Sequence, residues 1–156
     1  MAAARPQSFH VRAEFRAPLD FVFRWCTDYR SDDARREKDH YTRRILSRSR
    51  NRVVYEDLSS HGDGWRWSRH TVDLHPPLRW HSDSVGSHRT LDLDYTLTAL
   101  GPERTRLDLR WRRWATPIGA PRIPKRETER ETTVAWVHFG KELEKDYRKS
   151  RRARRR

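Results

Sequence analysis

The sequence predicts an α+β domain: one antiparallel sheet of seven strands, one or two short helices after the first strand, and a long C-terminal helix over the sheet's apolar face. Three observations predict it. Segments of 8 to 12 residues alternate apolar and polar side chains, short turn sequences separate them, and an amphipathic stretch of helical period closes the chain. Spacers this short join antiparallel neighbours; parallel strands need far longer crossovers.

The first strand is SFHVRAEF (8–15), with Phe9, Val11, Ala13 and Phe15 on one face and His10, Arg12 and Glu14 on the other. Pro18 then opens a helix, with Asp20 near the positive end of its dipole. Leu19, Phe21, Val22, Phe23, Trp25 and Cys26 make that helix mostly apolar, so it must be buried. From Asp28 to His40 the chain turns polar and reads as a short second helix or a charged loop. YTRRILSRS (41–49) and RVVYEDLSS (52–60) are strands joined around Arg50 and Asn51, and HGDG (61–64) supplies the next turn. WRWSRHTVDL (65–74) and LRWHSDSV (78–85) flank His75-Pro76-Pro77. After GSH (86–88), RTLDLDYTLTAL (89–100) alternates cleanly, and GPE (101–103) leads to RTRLDLRWRRW (104–114).

ATPIGAPRIPK (115–125) has three prolines and a glycine and reads as a loop. In the helical stretch 126–150, Thr132, Trp136, Phe139 (or Gly140), Leu143 and Tyr147 recur in steps of three and four and form one stripe. Gly140 in its middle costs about 1 kcal/mol relative to alanine, which is tolerable where something approaches the helix closely.

The composition is 34% hydrophobic and 37% charged, figures that alone fit a disordered chain, but 7 Trp, 5 Tyr and 5 Phe argue for a packed core. At 156 residues one domain is expected. Residues 1–7 read as an N-terminal extension, 8–148 as the domain, and 149–156 as a basic tail. Of the net charge of +13, RKSRRARRR (148–156) carries seven positive charges. That run reads as a solvated extension or as a weak contact for a polyanion or an anionic membrane. No apolar run resembles a signal or a membrane span, so a cytoplasmic protein, monomer or homodimer, is expected. The single Cys26 excludes an internal disulfide and reads as a buried, inert thiol.

GWRWSRHTVDLHPPLRWHSD (64–83) concentrates aromatic, cationic and histidine side chains. A hairpin about Pro76 would pair Leu74 with Leu78, Val72 with Trp80 and His70 with Ser82. Trp65 and Trp67 have the opposite parity from Val72 and Leu74. Either a bulge near Ser68–His70 switches the faces, or these tryptophans lie on the outer face. A metal site from His70, His75 and His81 is disfavoured by their alternating placement, and no metal or cofactor is expected. Asp28, Asp32 and Asp33 read as a solvated face. Arg12, Arg43, Arg44, Arg48, Arg110, Arg112 and Arg113 could form a nucleic-acid surface. Their expected position opposite the apolar residues, among Glu14, Glu56, Asp57, Asp92, Asp94 and Asp108, is explained as well by cross-strand ion pairs.

The element order, a first strand running into a Pro-initiated helix (FHVRAEFRAPLDFVFRWCTD), the segment from Trp67 to Asp73 and Pro76, and a last strand reading ERTRLDL before an acidic-rich helix together resemble the START-like superfamily. This superfamily is also called SRPBCC or birch-pollen-allergen-like, and the pieces are similar to its polyketide cyclase/dehydrase and lipid-transport branch. The resemblance covers residues 8 to 148 and implies a helix-grip fold, a curved sheet wrapped around the last helix with a ligand cavity between. It implies binding of a small hydrophobic or amphipathic ligand such as a lipid, polyketide or isoprenoid-like molecule, or alternatively cyclase/dehydrase-type catalysis. The expected lining is Phe9, Phe15, Trp67, His70, Trp80, Leu93, Tyr95, Leu97, Trp111, Trp136, His138 and Phe139. His70 and His138 are the candidate acid–base groups.

Overall fold

A computed structural model describes residues 5–37, 39–62 and 64–155. The elements are β1 (Gln7–Phe15), α1 (Leu19–Thr27), α2 (Asp33–Glu37), β2 (Tyr41–Arg48), β3 (Arg52–His61), β4 (Gly64–His75), β5 (Arg79–Gly86), β6 (Arg89–Gly101), β7 (Arg104–Ala115) and α3 (Lys125–Arg154). The seven strands form one sheet in the order β1-β7-β6-β5-β4-β3-β2. Every neighbouring pair is antiparallel. It is a meander whose last strand accepts the first strand along its free edge.

The alternation of each strand fixes two faces, and the register carries them across the sheet. Phe9, Val11 and Phe15 of β1 lie opposite Trp111, Leu109 and Thr105 of β7. Leu93, Tyr95 and Leu97 of β6 meet the same face from the other side. α1 and α3 cover this face, and the core gathers Phe15, Val22, Phe23, Val53, Val72, Trp80, Leu107 and Leu143. β1 is an edge strand with unpaired amides, and α3 supplies acceptors for them. Glu129 Oε1 accepts the His10 N–H at 2.9 Å, and just past the strand Glu144 Oε1 accepts that of Arg16 at 2.9 Å.

The hairpin at the prolines is longer than the sequence reading has it. His75 pairs with Arg79, Leu74 with Trp80, Val72 with Ser82 and His70 with Ser84. The Pro76-Pro77 peptide is cis, and with Leu78 the two prolines form a three-residue turn. The register moves by two residues, so the faces keep their parity. β4 pairs without interruption against both neighbours, so no bulge reverses it, and Trp65 and Trp67 lie on the outer face at 67% and 38% exposure.

Two further expectations change. The backbone does not break at residue 149, because α3 continues to Arg154. Gln7, placed in the N-terminal extension, already pairs with Arg113. Residues 1–4 of that extension, Lys38 of the polar stretch, Asp63 of the HGDG turn and Arg156 of the tail lie outside the described residues.

Candidate functional site

On the covered face the side chains do not meet everywhere. A recess of about 230 Å³ lies between α1, the middle of the sheet and α3. Its apolar wall is Trp80, Leu91, Leu93, Tyr95, Trp136 and Phe139. Trp80 and Tyr95, cross-strand partners, stack at 4.6 Å with planes 9° apart. The Trp80 indole Nε1 is buried with no hydrogen-bond partner among the described residues. Ser82, the cross-strand partner of Leu93, lines the chamber in the row next to these rings.

The far end of the chamber is polar and centres on Arg43, whose side chain is only 7% exposed. Its guanidinium donates to both oxygens of Asp57 at 2.8 and 2.9 Å and to Asp33 Oδ2 at 2.6 Å. It also lies over the Tyr55 ring at 4.1 Å. Arg36 extends the chain of charges, 3.7 Å from Asp33 and 3.4 Å from Asp146 of α3. Burial works against the Arg43 charge, but the Asp57 hydrogen bonds and neighbouring charges hold its pKa above the ordinary value. Tyr29, Tyr55 and His70 stack in series, with centroids 5.1 and 4.5 Å apart. Burial holds His70 down at about 4, so it is neutral at neutral pH, with Nε2 3.0 Å from Ser68 Oγ. Burial also keeps Tyr29, Tyr55 and Tyr95 protonated and pushes the Cys26 thiol up to about 12.

Glu37, Arg43, His70 and Leu91 belong equally to a second, more polar recess of about 480 Å³. It runs across the inner face from β2 to β7 and ends on Arg89 and Arg113.

The structure brings His70, Trp80, Leu93, Tyr95, Trp136 and Phe139 together at the chamber. Phe9 and Trp111 share the face but stack on each other at 4.9 Å in a separate cluster. Phe15 and Leu97 are core residues away from the chamber wall. His138 does not border the chamber; its Nε2 is buried without a partner among the described residues, beside the Phe139 ring. Trp67 only borders the polar recess, and Arg69 lies over its ring on the outer face.

Four groups read as solvent-facing point inward instead: Asp33, Asp57, Arg43 and Arg113. The parity of Tyr41, Arg43 and Ile45 against Tyr55 and Asp57 places Arg43 and Asp57, and that of Leu109 and Trp111 places Arg113. His70 and His81 fall on opposite faces, and His75 sits at the turn. His81 meets Asp92 and Asp94 on the outer face, their ligand atoms within 4.8 Å of one another. Those groups are already engaged: His81 with Asp94 at 2.8 Å, and Asp92 with Arg112.

No protein-family model matches the chain, and no curated protein matches its sequence. Solved structures do. The Zhui aromatase/cyclase from Streptomyces sp. R1128 superposes with a TM-score of 0.69 at 15% identity, over 92% of this chain and 94% of that one. A START superfamily protein from Mycobacterium smegmatis superposes with a TM-score of 0.63 at 13% identity, over 91% and 97%. The chain has a helix-grip fold, and at the level of fold it matches START-like structures. The di-domain ARO/CYC StfQ from the steffimycin biosynthetic pathway is similar over 96% of this chain and 53% of its own length, with a TM-score of 0.66 at 14% identity. At these identities the likeness carries the architecture alone. In the helix grip formed here, α3 closes the chamber with Trp136 and Phe139, while α1, the link after it and α2 supply Trp25, Tyr29 and Asp33 at its rim.

Proposed function

We propose that the chain holds a small hydrophobic or amphipathic ligand, of lipid, polyketide or isoprenoid-like character, between sheet and α3. One observation carries this reading: an aromatic chamber left unfilled beside an otherwise close-packed core, continuous with a polar recess. Interiors pack to crystal-like density, so unfilled apolar volume is a cost unless a ligand occupies it. The unpartnered Trp80 N–H adds a polar contact on the chamber wall. Relatives in fold named as aromatase/cyclases support a ligand of that size class. The reading assumes a cytoplasmic monomer or homodimer needing no cofactor; among the described residues no helix is long and apolar enough to cross a membrane.

Native mass spectrometry after gentle purification is the test, combined with titration of the tryptophan fluorescence by dodecanol. A co-purifying small molecule or saturable quenching is expected. Loss of the reading follows if neither is seen.

One observation favours a second reading, a cyclase/dehydrase-type enzyme: His70 faces the chamber beside Tyr55 and Arg43. With its pKa at about 4 it would act as a neutral hydrogen-bonding group rather than a strong base. Turnover of a polyketide substrate that survives His70→Ala unchanged would remove His70 from that role.

A further inference from the structure

More than half of the strand arginines of this chain meet a carboxylate among the described residues. Arg12 meets Asp108, Arg44 and Arg69 share Glu56, Arg52 meets Asp73, and Arg104 meets Glu14. The buried Arg43 has two. Arg113 meets none among the described residues, and unlike the exposed arginines it is buried, where that costs most. It is 5% exposed, its Nη2 donates to the Ala120 carbonyl at 2.7 Å, and its Nε and Nη1 are buried with no partner among the described residues. A desolvated guanidinium with two unmet N–H groups is a standing penalty unless something else satisfies it.

Its surroundings define what that would be. Arg113 pairs across the sheet with Leu91, and Arg89 stands two residues from Leu91 on the same face. Arg89 makes no ion pair among the described residues. Arg89 is exposed overall, but desolvation of its guanidinium, then the charges of Arg113 and Arg66, lower its pKa from the ordinary value. Two cations thus face one end of the polar recess. The acids of that recess are committed elsewhere: Asp57 to Arg43, Glu37 to the Tyr41 hydroxyl at 2.7 Å, and Asp39 to the His40 N–H at 2.7 Å.

We propose that Arg113, with Arg89 beside it, receives the oxyanion head group, a carboxylate or a phosphate monoester, of an amphipathic ligand whose apolar tail occupies the aromatic chamber. This rests on the cavity reading above and narrows it to anionic amphiphiles. Leu91 borders both recesses, so an oxyanion on Arg113 places the first carbons of its tail at the chamber. Nη2 keeps one hydrogen beside its bond to Ala120, and with Nε or Nη1 it can offer two parallel hydrogen bonds to either oxyanion. The loop 116–124 sets its orientation through Ala120. That loop lies tight against the turn between β5 and β6: a Cβ on Gly119 would come within 1.8 Å of the His88 carbonyl oxygen, so only glycine fits there.

The full chain would be titrated with dodecanol, dodecanoate, dodecyl phosphate and inorganic phosphate, read by tryptophan fluorescence and calorimetry. The two anionic chains are expected to bind about tenfold or more tighter than dodecanol, with inorganic phosphate weaker than dodecyl phosphate. Arg113→Met should abolish that preference while leaving the dodecanol Kd within about twofold, and Arg113→Lys should keep part of it. The thermal midpoint of unliganded Arg113→Met should equal or exceed that of the parent, whereas a purely structural arginine would lower it.

Saturable but equal binding of dodecanol and dodecanoate would overturn the head-group assignment and leave the cavity reading standing. A preference that persists in Arg113→Met would do the same. Inorganic phosphate binding as tightly as dodecyl phosphate would make this a free-anion site instead. Failure of every chain to bind would remove the cavity reading and this inference with it.

Discussion

At Gly140 two effects of similar size oppose each other. Alanine there would gain about 1 kcal/mol of helix propensity. Its Cβ would lie 3.2 and 3.3 Å from two carbons of the Phe15 ring, which is fully buried and has nowhere to move. Overpacking of this kind costs about 1–3 kcal/mol. Gly140→Ala should therefore lower the urea midpoint, and a raised midpoint would show that the α3–β1 contact is looser than it looks. His70 carries a pH signature of definite sign. Its folded pKa of about 4 lies below the ordinary 6.5, so between those values the unfolded chain binds a proton that the folded chain refuses. Stability therefore falls as pH drops through that window, by about 3 kcal/mol in all. His81 acts oppositely: burial lowers its pKa, but hydrogen bonds to Asp94 and Asp83 raise it on balance, so its contribution is present below 6.5 and lost as pH rises. The two windows do not overlap. His70→Phe, which keeps a ring on Tyr55, should flatten the dependence between pH 4 and 6.5, and an unchanged slope there would refute the assignment.

Among the elements, the strands were legible because alternation is a local property, readable without knowing the partner strand. Position along the covered face is not local. Phe9 and Trp111 have the right parity yet lie beyond the chamber, while Trp80 and Tyr95 have it and line the chamber. β2 misled for another reason: an arginine between Tyr41 and Ile45 counts as outward by polarity, although Asp57 and Asp33 make its inward position tenable. The polar end of the site depends on α2 meeting β2 and β3, a pairing with no periodic signature. The end of α3 was read as a tail because RKSRRARRR has no apolar stripe. Arginine is a good helix former, however, and extending an existing helix avoids nucleation. Arg151 also pairs with Glu103 at 2.9 Å, and Tyr147 donates to the same carboxylate. Deleting residues 148–156 should cost at most about 1 kcal/mol, since these contacts are exposed. If this segment is the proposed polyanion contact, the deletion should also abolish binding to phosphatidylserine vesicles, and in the parent that binding should weaken with salt. Dodecanol binding should be untouched, and a loss of it would tie α3's end to the chamber.

For the molecule as a whole, stability and binding compete for the same volume. The core is closed from Phe15 to Leu143 but stays open at Trp80, Leu93 and Trp136, and buried Ser82 lines the chamber where a larger apolar residue would extend the packing. A chain selected only for stability would fill that space; one selected to hold a ligand leaves it open and recovers the deficit on binding. Ser82→Leu separates these alternatives. The added carbons enter the chamber beside Leu93, in the row next to the stacked Trp80–Tyr95 pair, gaining apolar contact of about 1–2 kcal/mol without displacing a strand. The thermal midpoint without ligand should stay level or rise, and dodecanol affinity should fall about tenfold or more. A ligand should then no longer raise the midpoint, whereas in the parent it should do so in proportion to the logarithm of its concentration above Kd. If Ser82→Leu instead lowers the midpoint sharply and leaves binding intact, the chamber is too small to accept even a side chain, and the ligand must sit in the polar recess alone.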